Sequence, residues 1–139
     1  MSILKLKPCG KDYLWGGRRL VEEYGKEACG EVLAETWELS CHPDGPSVIE
    51  NGVHAGKTLQ QYIEEQGKAV LGTHCRRFRD FPILVKFIDA KDNLSIQVHP
   101  DNRYALSHEG LILSILVDTF FTRISMSKQH PEIHSISVV

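Results

Sequence analysis

Glycine is missing from the end of this chain. All 11 glycines of the 139 residues lie at or before Gly110, and none follows. Charge thins in the same stretch, where only Asp118, Arg123, Lys128 and Glu132 remain of 16 basic and 18 acidic residues. Small β-barrels turn tightly between strands, and a tail without glycine has no residue that takes positive φ without strain. Leu111 to Val117 is instead a β-prone, uncharged, aggregation-liable run. A strong charge of either sign is also lacking. The net charge of -2 and pI near 6.4 provide no field for nucleic acid or an anionic membrane. The one basic cluster, Cys75-Arg76-Arg77-Phe78-Arg79, reads as a solvated loop before a strand.

Close cysteine pairs are absent too. Cys9, Cys29, Cys41 and Cys75 are scattered without a Cys-x-x-Cys spacing, which excludes a zinc knuckle or dithiol redox motif. Free thiols in a reducing, cytoplasmic setting are the economical expectation. No run of about 18 apolar residues occurs, which argues against a membrane-spanning helix. Met1 to Lys5 opens without the long apolar region of a secretory signal. The length fits one domain at most, large enough to bury a core.

What the chain does have is a clean alternation at Asn93-Leu94-Ser95-Ile96-Gln97-Val98-His99-Pro100-Asp101. Side chains alternate across a strand, so Ser95, Gln97 and His99 form one polar row opposite Leu94, Ile96 and Val98. Pro100 ends the ladder and Asp101 can cap a helix over Asp101 to His108. Such a row can do chemistry or simply face water. Upstream, Pro82 to Asp89 reads as a strand covered on both faces, interrupted by Lys86. An unpaired buried ammonium is expensive, so Lys86 either snorkels, pairs with Asp89, Asp92 or Glu38, or serves a substrate.

The remaining elements follow from local chemistry. Ile3 to Leu6 suggests an edge strand, Trp15-Gly16-Gly17 a loop, and Arg18 to Tyr24 a short helix ended by Gly25. Thr36 to Ser40 suggests a strand with Trp37 and Leu39 on one face and Glu38 and Ser40 on the other. Cys41-His42-Pro43-Asp44-Gly45-Pro46 then breaks regular structure; Cys41 and His42 read as a solvated turn rather than a metal pair. Ser47 to Ile49 is a strand closing on an Asn51-Gly52 hairpin turn. Thr58 to Gln66 is a helix with Thr58 and Gln61 forming a capping box and Gly67 at its end.

Phe81-Pro82-Ile83-Leu84-Val85-Lys86-Phe87-Ile88-Asp89-Ala90, followed by Leu94 to Asp101, resembles the type I mannose-6-phosphate isomerases, zinc enzymes of the cupin class. Trp15-Gly16-Gly17, Glu35-Thr36-Trp37-Glu38-Leu39-Ser40, Asn51-Gly52 and Gly56-Lys57-Thr58-Leu59 resemble the same family in the same order, so that the likeness covers about residues 5 to 110. The resemblance implies a mainly β fold, an incomplete cupin-type jelly roll with short covering helices. It also implies isomerisation of mannose 6-phosphate and fructose 6-phosphate through a cis-enediol, with a phosphorylated hexose as partner and zinc orienting the open-chain sugar as a Lewis acid.

Carried over residue by residue, the resemblance makes Gln97 and His99 zinc ligands and places Ser95 and Lys86 at the substrate. Side chains two apart on a strand do present both donors to one side. Glutamine is a weak neutral ligand, so a carboxylate should supply most of the affinity. The family's glutamate, in a Lys-x-Glu-Met-Trp-like strand, has no counterpart in Leu111 to Val139. Glu109 lies in the right region but a helix away; His130 and His134 have ligand spacing, but Pro131 stands between them. The expectation is thus a family-like unit at 1–110 and a divergent tail at 111–139, the chain leaving the family sequence near Gly110 by frameshift, splicing or mis-joined coding sequence. Sequencing the transcript across codons 105 to 115 tests this. Three functional classes stay open: an isomerase, an inactive fragment, and a sugar-binding cupin module without turnover. The general base is not legible in the sequence.

Overall fold

The computed structural model describes residues 3–78, 80–93 and 107, and the backbone of 118–120 and 136–138. The elements in chain order are β1 (Leu6–Lys7), β2 (Cys9–Lys11), α1 (Arg19–Glu22), β3 (Glu35–Leu39), β4 (Val48–Ile49), α2 (Leu59–Gln66), β5 (Val85–Ile88), β6 (Asp118–Phe120) and β7 (Ile136–Val138). Two antiparallel sheets result, a pair β1-β4 and a larger sheet of order β2-β3-β5-β7-β6. The fold is therefore mainly β with short helices, as expected. Ser95, Gln97, His99, Glu109, His130, His134, all but Ser107 of the helix expected over 101–108, and the run 111–117 lie outside the described residues.

Local chemistry explains where the strands begin and bend. The expected edge strand over Ile3 to Leu6 is displaced, and Pro8, which has no N–H to donate, separates β1 from β2 so that each joins a different sheet. β5 is shorter than the strand expected from Pro82, its ladder with β3 starting only at Val85. Its four residues are half-buried rather than covered on both faces. The alternation expected along β3 is also broken. Trp37 pairs with Lys86 but Leu39 with Val85, so β3 spends an extra residue at Glu38. Val85 and Lys86 point to opposite faces, and that bulge therefore takes Trp37 and Leu39 off a common face.

The core joins β3, β4 and the helices. Leu20, Leu33, Ala34, Trp37, Ile49, Leu59 and Ile63 are its buried apolar side chains among the described residues. Buried Ser47 stitches β4 to β3: its hydroxyl accepts the Ser40 N–H at 3.0 Å and donates to the Glu38 carbonyl at 3.3 Å. α2 forms as its sequence specifies. The Thr58 hydroxyl accepts the Gln61 N–H at 3.1 Å, the Gln61 side chain accepts the Thr58 N–H at 2.9 Å, and Gly67 ends the helix at φ 77. Between β4 and α2 the expected two-residue hairpin is instead a wider excursion through a 3-10 turn at Gly52–His54, closed by the Ile49 N–H on the Lys57 carbonyl at 2.8 Å.

Candidate functional site

One face of the larger sheet carries a polar and aromatic cluster. β2 pairs Cys9 with Trp37 and Lys11 with Glu35, and β5 pairs Lys86 with Trp37. Cross-strand partners share a face, so Lys11, Glu35, Trp37 and Lys86 stand together. Lys86 is half-buried, and its partner is none of those expected from sequence. Its Nζ lies 3.1 Å from Glu35 Oε1, with the two side chains 14% and 6% exposed. Asp89, Asp92 and Glu38 are not that partner. Glu35 Oε2 accepts the Trp37 indole N–H at 2.8 Å, so each carboxylate oxygen has its own donor. The partner was missed because the diagonal from Lys86 to Glu35 depends on register across 51 residues of separation. Its only sequence signal is that Glu35 is two residues from Trp37, and so on the same side of β3.

Further groups close in around this pair. The Lys11 ammonium sits 4.5 Å over the Trp37 ring and donates to the Asp44 carbonyl at 2.6 Å. His42 meets Trp37 edge-on at 5.6 Å, and its Nδ1 accepts the Asp44 N–H at 3.2 Å, which makes it a turn residue as expected. A Cβ at Gly45 would lie 2.7 Å from Trp37, so the 43–45 turn packs flush against the indole. Tyr13 stacks on Trp15 at 5.5 Å. Burial, then the nearby Glu35 carboxylate, pushes the Tyr13 hydroxyl above its ordinary pKa, which keeps it a neutral donor. Aromatic rings beside a fixed ammonium and a hydroxyl can stack on and hydrogen-bond to a polyhydroxylated, anionic ligand.

The loop bearing Trp15 is held by backbone contacts that only glycine permits. A Cβ at Gly16 would lie 2.5 Å from Ala34 Cβ, and one at Gly17 would lie 2.5 Å from Asp89 Oδ2. Asp89, buried at the end of β5, accepts the Arg19 N–H at 2.7 Å and so caps α1, while its carbonyl accepts the Gly17 N–H at 3.0 Å. Trp15 in turn offers its carbonyl to the Lys91 and Asp92 N–H groups. The opposite face of the sheet carries a separate pair, Lys26 and Glu38 at 2.7 Å, with Lys26 also 4.9 Å from the Phe87 ring centroid.

Of the residues expected from sequence, the structure brings Lys86 into this cluster, while Ser95, Gln97 and His99 lie outside the described residues. Among the described residues no group of three or more His, Cys, Asp or Glu side chains could hold a metal ion. None of their helices is long and apolar enough to cross a membrane. All four cysteines are free thiols.

The family model for the phosphomannose isomerase type I catalytic domain matches residues 3–115, slightly past the Gly110 boundary expected from sequence. A mannose-6-phosphate isomerase of Streptococcus mutans is 45% identical over 97 residues, covering 70% of this chain and 30% of that protein. A putative mannose-6-phosphate isomerase of Bacillus subtilis is 40% identical over 108 residues, covering 78% and 33%. The crystal structure of the Bacillus subtilis mannose 6-phosphate isomerase superposes with a TM-score of 0.71 at 38% identity, covering 79% of this chain and 34% of that one. The Salmonella typhimurium enzyme, bound to fructose 6-phosphate and zinc, superposes at 0.62 with 31% identity over 84% of this chain and 31% of its own. The chain spans about a third of the length of the curated relatives it matches.

Proposed function

Since the chain belongs to the type I phosphomannose isomerase family, we propose that it forms the first part of a zinc-dependent enzyme interconverting mannose 6-phosphate and fructose 6-phosphate. The observation that carries this is the likeness to the Salmonella typhimurium enzyme bound to fructose 6-phosphate and zinc, which covers 84% of the chain. In this reading Gln97 and His99 hold zinc and Ser95 and Lys86 contact the phosphorylated hexose. Bound zinc would stabilise negative charge developing on the sugar oxygens. Lys86 would donate to a sugar or phosphate oxygen. Residues 1–110 would be the family-like unit, 111–139 a divergent tail, and the setting the cytoplasm.

A coupled isomerase assay with zinc analysis tests the reading. Turnover with stoichiometric zinc supports it; neither zinc nor turnover from a folded chain refutes it for the chain as it stands. A second reading keeps the site without the reaction. It is favoured by the absence of a family-like carboxylate ligand within residues 111–139. Fructose 6-phosphate binding without turnover identifies a sugar-binding module, and a metal-free product that binds nothing identifies an inactive fragment.

A further inference from the structure

We propose that Glu35 is a positioning residue, acting on substrate only through Lys86 and braced by Trp37. This rests on the reading of Lys86 as a hexose-phosphate contact. A lysine ammonium has three donors on a flexible four-carbon stem, so by itself it is a poorly aimed group. Here Glu35 Oε1 takes one donor at 3.1 Å, and among the described residues the ammonium has no second hydrogen bond. The carboxylate is itself fixed, because Oε2 is held by the Trp37 indole at 2.8 Å. The indole is fixed in turn, with the Gly45 backbone against one part of the ring and Lys11 over it at 4.5 Å. Each link orients the next, from the 43–45 turn through Trp37 and Glu35 to the Lys86 ammonium.

Stability alone does not account for this arrangement. A buried ion pair returns little net stability compared with apolar side chains of the same volume, and the neighbouring Val85, Phe87 and Ile88 are apolar. A largely buried ion pair in a polar, aromatic setting is instead a candidate for a binding site.

The test uses the whole chain and four proteins: wild type, Glu35→Gln, Lys86→Met and the double variant. Fructose 6-phosphate, with zinc present, is the titrated probe, and inorganic phosphate is the second. Glutamine keeps an oxygen for the Trp37 indole but loses the charge that aims Lys86. Glu35→Gln should weaken fructose 6-phosphate binding roughly tenfold or more, as Lys86→Met does. Adding Glu35→Gln to Lys86→Met should weaken it no further. Unchanged binding in Glu35→Gln overturns the inference, as does a double variant weakened by the product of the two single effects, which marks a merely structural role. Should Glu35→Gln not fold, Trp37→Phe keeps an aromatic ring in the core and removes the indole N–H that braces the carboxylate. It should weaken binding in the wild-type background and not beside Lys86→Met, and equal losses in both overturn the inference. Wild type that binds neither probe refutes the hexose-phosphate reading itself, before any substitution is compared.

Discussion

Replacing Gly17 by alanine tests how tightly the Trp15 loop is clamped to the end of β5. The added Cβ would lie 2.5 Å from Asp89 Oδ2 and 2.8 Å from its Cγ and Oδ1. Asp89 is 4% exposed and has no room to retreat. Its carboxylate caps Arg19, its N–H donates to the Ala34 carbonyl at 2.8 Å, and its own carbonyl accepts the Gly17 N–H. Relief of the overlap requires giving up that cap, a hydrogen bond to a charged group, on top of an overpacking cost. Together these come to about 3 kcal/mol. With a slope of about 1–3 kcal/mol per molar urea, the midpoint should fall by about 1–3 M. Unfolding can be followed by the fluorescence of Trp15 and Trp37. Gly25→Ala is the control: it has φ 63 but nothing within 4 Å of the new Cβ, so only left-handed strain of about 1 kcal/mol applies. If Gly17→Ala loses no more stability than Gly25→Ala, the clamp as described is wrong.

Thr58→Ala should cost about 1 kcal/mol by removing the capping box of α2, read as a lower urea midpoint with unchanged slope. Leu33→Ala, at a fully buried position, should cost about 2–5 kcal/mol in the same measurement, and a loss under 1 kcal/mol would contradict its place in the core. Burial, and then Glu64, raise the Cys41 thiol from an ordinary value of 9.0 to about 11. The folded chain thus holds this proton more tightly than the unfolded one. The resulting stability is complete below pH 9.0 and is lost as pH rises through about 11. At pH 8 the Cys41 thiolate should be roughly 100-fold scarcer than that of an unperturbed thiol. Mass spectrometry after alkylation should show Cys41 modified well after an unfolded control; equal rates would refute its burial. For the assembled site, chelation should abolish any isomerase activity and zinc should restore it, while activity indifferent to chelator would remove zinc from the proposal.

The sequence by itself determined what depends on neighbours along the chain. Thr58, Gln61 and Gly67 delimit α2 because capping is settled within one turn of helix. Gly25 ends the short helix after Arg18 for a similar local reason. The family was legible as well, because its motifs recur in order from Trp15 to His99. What the tertiary structure alone decided depends on which strands meet and in what register. The bulge at Glu38 reverses the face that Leu39 occupies, and no alternation pattern within β3 announces it. Gly16 and Gly17 look like turn glycines, yet they are required by the close approach of Ala34 and Asp89 from other elements. Lys86 needed an anion, and three acidic residues were nearer in sequence or equally plausible in charge. Pairing β3 against β5 chose Glu35 instead, because a lysine's partner is fixed by distance through space and not along the chain.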